Sequence, residues 1–181
     1  MNIVLAHAVL AVSEVGFTCK ESSYHSVETK CNNVFDPDDS VEWITQGEAK
    51  GAWIHLEFDA KIMITKVLYR HNLWKAMTNR YFKDVMFEFS DRTKVNVTLH
   101  YPNLGTLEYP VLEKEIHLKI DPPILSSSLK IKMFSGHDLS MSDGKNRPQD
   151  WQDRYGISYI QIYGLQRGGR RIILMLPRLQ I

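Results

Sequence analysis

Asp36-Pro37-Asp38-Asp39-Ser40, followed by Glu42-Trp43, opens the stretch whose reading decides the fold. A second turn, Gln46 to Gly51, leads into Trp53-Ile54-His55-Leu56-Glu57-Phe58 and on to Ile64-Thr65-Lys66-Val67-Leu68-Tyr69-Arg70. Far downstream, Gly156-Ile157-Ser158-Tyr159-Ile160-Gln161-Ile162-Tyr163-Gly164 has the same texture. Pro, Asp and Gly set turns because they favour backbone angles that strands do not use. Strands bounded by such turns predict a β-sandwich that displays loops, and so a binding module before an enzyme.

Outward from that stretch, apolar residues recur with period two. Ile54, Leu56 and Phe58 face one way, and His55 and Glu57 the other. Val85, Phe87 and Phe89 alternate with Met86 and Glu88, and Ile116, Leu118 and Ile120 with Glu115, His117 and Lys119. Leu129, Ile131 and Met133 alternate with Lys130 and Lys132, and Ile160 and Ile162 flank Gln161. Each pattern describes one buried and one wet face, as antiparallel sheets require. Turn signals separate the strands at Asp36-Pro37-Asp38, Gly47, Asp59-Ala60, Ser90-Asp91, Pro102-Asn103, Asp121-Pro122-Pro123 and Gly136. No long amphipathic helix and no internal repeat interrupts them. The prediction is an all-β, antiparallel sandwich of about eight short strands in two packed sheets with jelly-roll connections.

Two segments break the pattern. His137 to Tyr155 is polar around a lone Trp151 and reads as one long loop, a length that usually serves function. After Gly164 the chain carries Arg167, Arg170, Arg171 and Arg178 around the apolar run Ile172 to Leu176. That tail, 165–181, reads as an appended edge strand, an unstructured end or a membrane-surface contact, leaving residues 1–164 as the sandwich.

Composition narrows the class. The 181 residues are 44% hydrophobic and 24% charged, with a net charge of +1. That balance suits one globular domain and lacks the basic face of a nucleic-acid binder. No run approaches the roughly 18 apolar residues that span a bilayer as a helix. Met1 to Val12 is apolar but lacks the lysine or arginine of a secretory leader, and reads instead as a first strand.

Cys19 and Cys31 allow two readings: buried thiols, or a disulfide tying the first strand to the acidic turn, worth about 3 kcal/mol in unstrained geometry. No zinc-type spacing accompanies them, so no metal role is expected of the thiols. Asn96-Val97-Thr98 is a glycosylation sequon. Val95, Val97 and Leu99 point inward, which turns Asn96 outward where a glycan can attach.

Catalytic constellations are missing. His55, His100 and His117 read as solvated, and no His-x-His or His-x-x-x-His pair supplies metal-ligand spacing. Ser126-Ser127-Ser128 lies in no nucleophile elbow, and Gly168-Gly169 lacks the lysine and context of a phosphate loop. The ligand candidates are Arg70, His71, Asn72 and Trp74, followed by Arg80. An aromatic face stacks on sugar C–H bonds while Arg, His and Asn bind hydroxyls. The competing reading folds Trp74 back on the core rim. Trp151 is a second candidate; Trp43 and Trp53 are assigned to the core or its rim.

In order and kind, these elements resemble the discoidin family, the coagulation-factor C-type domain of the galactose-binding-like superfamily. Such domains show an acidic turn, a Trp, a Gly-x-Trp strand, an Ile-Thr-x-Val strand and a closing strand ending in Tyr-Gly. Here the matches are Asp36-Pro37-Asp38 with Trp43, Gly51-Ala52-Trp53-Ile54, Ile64-Thr65-Lys66-Val67 and Gly156 to Gly164, within about residues 10 to 164. The resemblance implies a jelly roll whose loops bind carbohydrate, phospholipid head groups or surface glycoproteins, in an extracellular or cell-surface setting. It also implies a structural calcium near the acidic turn, for which Asp36 and Asp38 offer hard oxygens. The departure is Tyr159, where relatives place a glutamate ligand. Asp36 and Ser40 alternatively make only side-chain turn bonds. The expected function is therefore a non-enzymatic, lectin-like or adhesion module. The alternative is a protein-assembly module on the same fold, with the cytoplasm as its setting, which reduced cysteines and an unmodified Asn96 would favour.

Overall fold

The computed structural model describes residues 15–24, 26–36, 42–46, 50–71, 82–99, 115–136, 155–166 and 171–174. Among these residues eight strands form: β1 (Phe17–Glu21), β2 (Trp43–Ile44), β3 (Trp53–His71), β4 (Asp84–Phe89), β5 (Lys94–Thr98), β6 (Glu115–Met133), β7 (Gly156–Leu165) and β8 (Arg171–Leu174). Two 3-10 helices, Val27–Thr29 and Cys31–Phe35, lie between β1 and β2. All pairings are antiparallel, in the order β2-β7-β3-β6-β4-β5, with β1 added to β3 and β8 to β7.

The strands are not all short. β3 and β6 run for 19 residues each, and the turn signals read at Asp59-Ala60 and Asp121-Pro122-Pro123 lie inside them. The ladder between these strands breaks twice. Residues 58–61 stand against Ser127 alone, and residues 120–123 against Thr65 alone. Proline has no N–H to give a ladder, so Pro122 and Pro123 belong in such a bulge. At the first break Ser126 Oγ donates to the Ser128 carbonyl at 2.6 Å and accepts from the Ser90 N–H at 2.9 Å. Turn-forming residues thus bend the strands without ending them.

The bends produce the two layers. One contains β1, the first half of β3, the second half of β6, β4 and β5; the other contains β7, the rest of β3 and the start of β6, edged by β2 and β8. Ile54, Leu56, Phe87 and Ile131 from the first layer and Ile64, Val67, Tyr69, Ile160 and Ile162 from the second share one buried cluster. Each such side chain contributes about 1.5–3 kcal/mol on burial.

The motifs that suggested the fold are sheet neighbours. Trp43 on β2 pairs with Ile157 on β7, and Val67 on β3 pairs with Ile162. Trp43 is fully buried and its indole N–H donates to the Ser23 carbonyl at 2.8 Å, which offsets the cost of burying that donor. Its ring stacks on Phe82. Gly51 has φ +91°, a conformation that favours glycine, in the turn before β3. Gly136 and Tyr155 sit at the two ends of the long polar segment, and a Cβ on Gly136 would lie 2.0 Å from the Tyr155 ring. Residues 137–154 are outside the described residues.

Three expectations of wet positions need correction. Met86 is buried, flanked across the sheet by Lys132, whose ammonium reaches on to Glu88 at 2.5 Å. Gln161 is only 9% exposed because β7 is covered on both faces. His55 is half-buried between β1 and β6; burial is the main cause holding its imidazole below the ordinary value. His117 is exposed, as expected. Within the segment read as a tail, Arg171–Leu174 pairs with β7 as an edge strand.

Candidate functional site

β3 ends at His71, and its last residues carry the first of the ligand candidates. Tyr69 faces the core, so alternation turns Arg70 to the outer face of the second layer. There Arg70 pairs with Tyr159 on β7, and its guanidinium carbon lies 5.1 Å from the Tyr159 ring centroid. A cation over an aromatic face is stabilised by the ring quadrupole. The next β3 residue, His71, pairs with Ile157, which makes Ser158 the extra residue of a bulge. Bulges bend a strand and re-aim its side chains. Tyr159 is therefore the aromatic partner of Arg70 across the two strands.

The arrangement repeats four residues, two pleat repeats, back along β3. Lys66 Nζ lies 3.8 Å from the Tyr163 ring centroid, and the Tyr163 hydroxyl donates to Gln161 Oε1 at 2.5 Å. Leu68, between Lys66 and Arg70 on the same outer face, is only 4% exposed. Neither pair was read from the sequence: alternation lines up Lys66, Leu68 and Arg70 and, separately, Tyr159, Gln161 and Tyr163, but not the register that joins them.

The acidic turn is represented by Asp36, exposed at the end of the second 3-10 helix, with its N–H donating to the Asn33 carbonyl at 3.0 Å. The Asn33 side-chain amide donates to the carbonyls of Glu28 and Glu42, which pins the chain on either side of the turn. Glu42 was not singled out in the sequence. It is 8% exposed, and burial pushes its carboxyl up to about 7. Asp38, Asn72, Trp74, Arg80 and Trp151 lie outside the described residues, and His71 is described through its backbone pairing. Among the described residues the metal-ligating side chains that meet in a group of three are Cys19, Glu21 and Cys31, a set dominated by sulfur and not the hard oxygens calcium prefers.

Cys19 and Cys31 are joined, with their Cα atoms 6.2 Å apart. Asn96 is exposed on edge strand β5, and the Thr98 hydroxyl of the same sequon donates to Asp84 Oδ1 at 2.9 Å. Among the described residues no helix is long and apolar enough to cross a membrane.

No protein-family model matches the chain, and no curated protein matches it in sequence. Solved structures do match in shape. The family 32 carbohydrate-binding module of C. perfringens NanJ, solved with galactose, has a TM-score of 0.56 at 12% identity, covering 81% of this chain and 92% of that one. The F5/8 type C domain of a Bacteroides fragilis protein gives 0.56 at 12%, over 85% and 97%. Chitosan-binding module 2 of a Paenibacillus sp. IK-5 chitosanase/glucanase, solved with chitotriose, gives 0.54 at 11%, over 86% and 99%. The chain shares the jelly-roll fold of this F5/8 type C domain and of these carbohydrate-binding modules.

Proposed function

We propose that this chain is a non-catalytic carbohydrate-binding module whose ligand end lies where β3 runs out at Arg70. The observation that carries this reading is the Arg70–Tyr159 pair beside the bulge at Ser158, on a fold shared with modules solved in complex with galactose and chitotriose. Arg70 supplies hydroxyl-binding N–H groups at a strand end. His71, Asn72, Trp74 and Arg80 follow it in the chain, and Trp151 contributes from the long polar segment. Calcium at Asp36 and Asp38 is an additional proposal, and it must manage without an anionic ligand at Tyr159. The bonded Cys19–Cys31 pair and the exposed Asn96 support an extracellular setting, since disulfides persist where the medium is oxidising.

A glycan array that also carries phospholipid head groups and glycoproteins, run on the whole chain, tests the reading. Binding to at least one glycan class is expected. Trp74→Ala and Arg70→Ala should each weaken it about tenfold or more, roughly 1.4 kcal/mol. Glycan binding left unchanged by both substitutions would remove this end of the molecule from the account.

A further inference from the structure

The alternation of β1 turns Phe17, Cys19 and Glu21 to one side and Thr18 and Lys20 to solvent. That side meets the second 3-10 helix. Phe17 lies 4.4 Å, ring to ring, from Phe35, and Cys19 is bonded to Cys31. Glu21, the next residue on that side, accepts a hydrogen bond from the Cys31 backbone N–H. That N–H opens the helix and has no partner within it. The two sulfurs and a Glu21 carboxylate oxygen consequently lie within 4.8 Å of one another. Cys31 is 1% exposed and Glu21 is half-buried, so the group sits at the edge of the core and not on a solvated face. The spacing of the two cysteines carries no zinc signature; the third donor comes from the Cys-x-Glu alternation of a strand.

We propose that, once the Cys19–Cys31 bond is reduced, Cys19, Cys31 and Glu21 form a site for a thiophilic divalent cation such as zinc. Two thiolates and a carboxylate are a zinc donor set, and the open fourth position takes water. Tetrahedral zinc holds sulfur at about 2.3 Å, which sets two sulfur ligands roughly 3.8 Å apart. Glu21 is anchored by the Cys31 N–H independently of the sulfur bond, so it stays in place when the sulfurs separate. The chemistry balances. A phosphine takes oxygen from one water and becomes its oxide, and the disulfide receives two electrons and two protons to give two thiols. The metal then forms two bonds to sulfur and both thiol protons leave. The same three residues thus bridge β1 and the helix in either redox state, by a covalent bond when oxidised and through a metal when reduced. This inference does not depend on sugar binding.

The experiment is a cobalt(II) titration of the whole chain, reduced with a phosphine and desalted without air, followed by absorption. One cobalt per chain is expected, with thiolate-to-cobalt charge-transfer and tetrahedral ligand-field bands that zinc displaces. The oxidised chain should show neither. E21Q keeps both cysteines, and its fold is checked by circular dichroism in the oxidised form. It should bind cobalt at least about tenfold more weakly. Reduced protein giving no more cobalt–sulfur absorption than Cys19→Ser would overturn the proposal, as would E21Q binding as tightly as the native chain.

Discussion

The outer faces of the two layers differ in how much they bury. Across the first, a row runs Lys20, His55, Lys130, Glu88, Lys94 through five strands, with Lys20 paired to Glu57 at 3.0 Å. Most of that face is solvated and its charges answer one another, although Met86 is buried on it and Lys130 Nζ lies 3.9 Å from the Trp53 ring centroid. Across the second, Arg70 and Lys66 lie over Tyr159 and Tyr163, and Leu68 and Gln161 between them are buried. Burial of side chains away from the shared core is therefore more extensive on the second face, where Leu68, Tyr159 and Gln161 are buried, than on the first. The proposed ligand end, at Arg70, lies on the second layer.

Leu68→Ala gives the largest expected break in this comparison. A buried leucine truncated to alanine costs about 3 to 4 kcal/mol, whereas a solvated outer face would lose almost nothing; urea unfolding at neutral pH distinguishes the two.

Glu42→Gln comes next. Burial holds the folded-state carboxyl up at about 7, above the value of 4.5 that an unperturbed glutamate has. The native chain keeps its proton where the unfolded chain has lost it. Stability is therefore full below pH 4.5, falls as pH rises towards 7 and levels off above that. Glutamine removes this fall and should raise stability at pH 8 by on the order of 2 to 3 kcal/mol. Parallel pH profiles for the two proteins would mean that Glu42 ionises normally.

Much of the fold was legible in the sequence. Period-two alternation located the strands and most core positions, and the order of Trp43, Ile64–Val67 and Gly156–Gly164 anticipated elements that prove to be sheet neighbours. Other features were not legible, for physical reasons. Asp59-Ala60 and Asp121-Pro122-Pro123 carry the same residue types whether the chain turns or bulges, so two continuous strands read as several. Gln161 and Met86 alternate like solvated positions, and only the side chains lying beside them decide otherwise. Glu42 next to an acidic turn looks like one more surface carboxylate. Glu21 gave no sign of meeting Cys31, because that contact depends on where the second 3-10 helix returns. At the candidate site, Arg70 could be named from its neighbours in the chain, but its partner Tyr159 could not. Cross-strand register joins those two residues, and register depends on a bulge that alternation does not reveal.

Smaller effects sharpen the same contrast. Tyr163→Phe removes the hydrogen bond to Gln161 on the second layer and should cost about 1 kcal/mol in the same unfolding measurement. Lys20→Ala, on the first layer, removes an ion pair whose members are both well exposed. No change in midpoint outside experimental error is expected, and none that salt would alter. A substantial salt-dependent loss would show that the first face is stabilised by its charges after all.

The most direct test of the central claim is a glycan array comparing the native chain with Arg70→Ala, both confirmed as folded. Saturable binding to a glycan class by the native chain, lost or weakened about tenfold or more in the variant, is the predicted result. No glycan retained by the native chain, or equal retention by both, would contradict it.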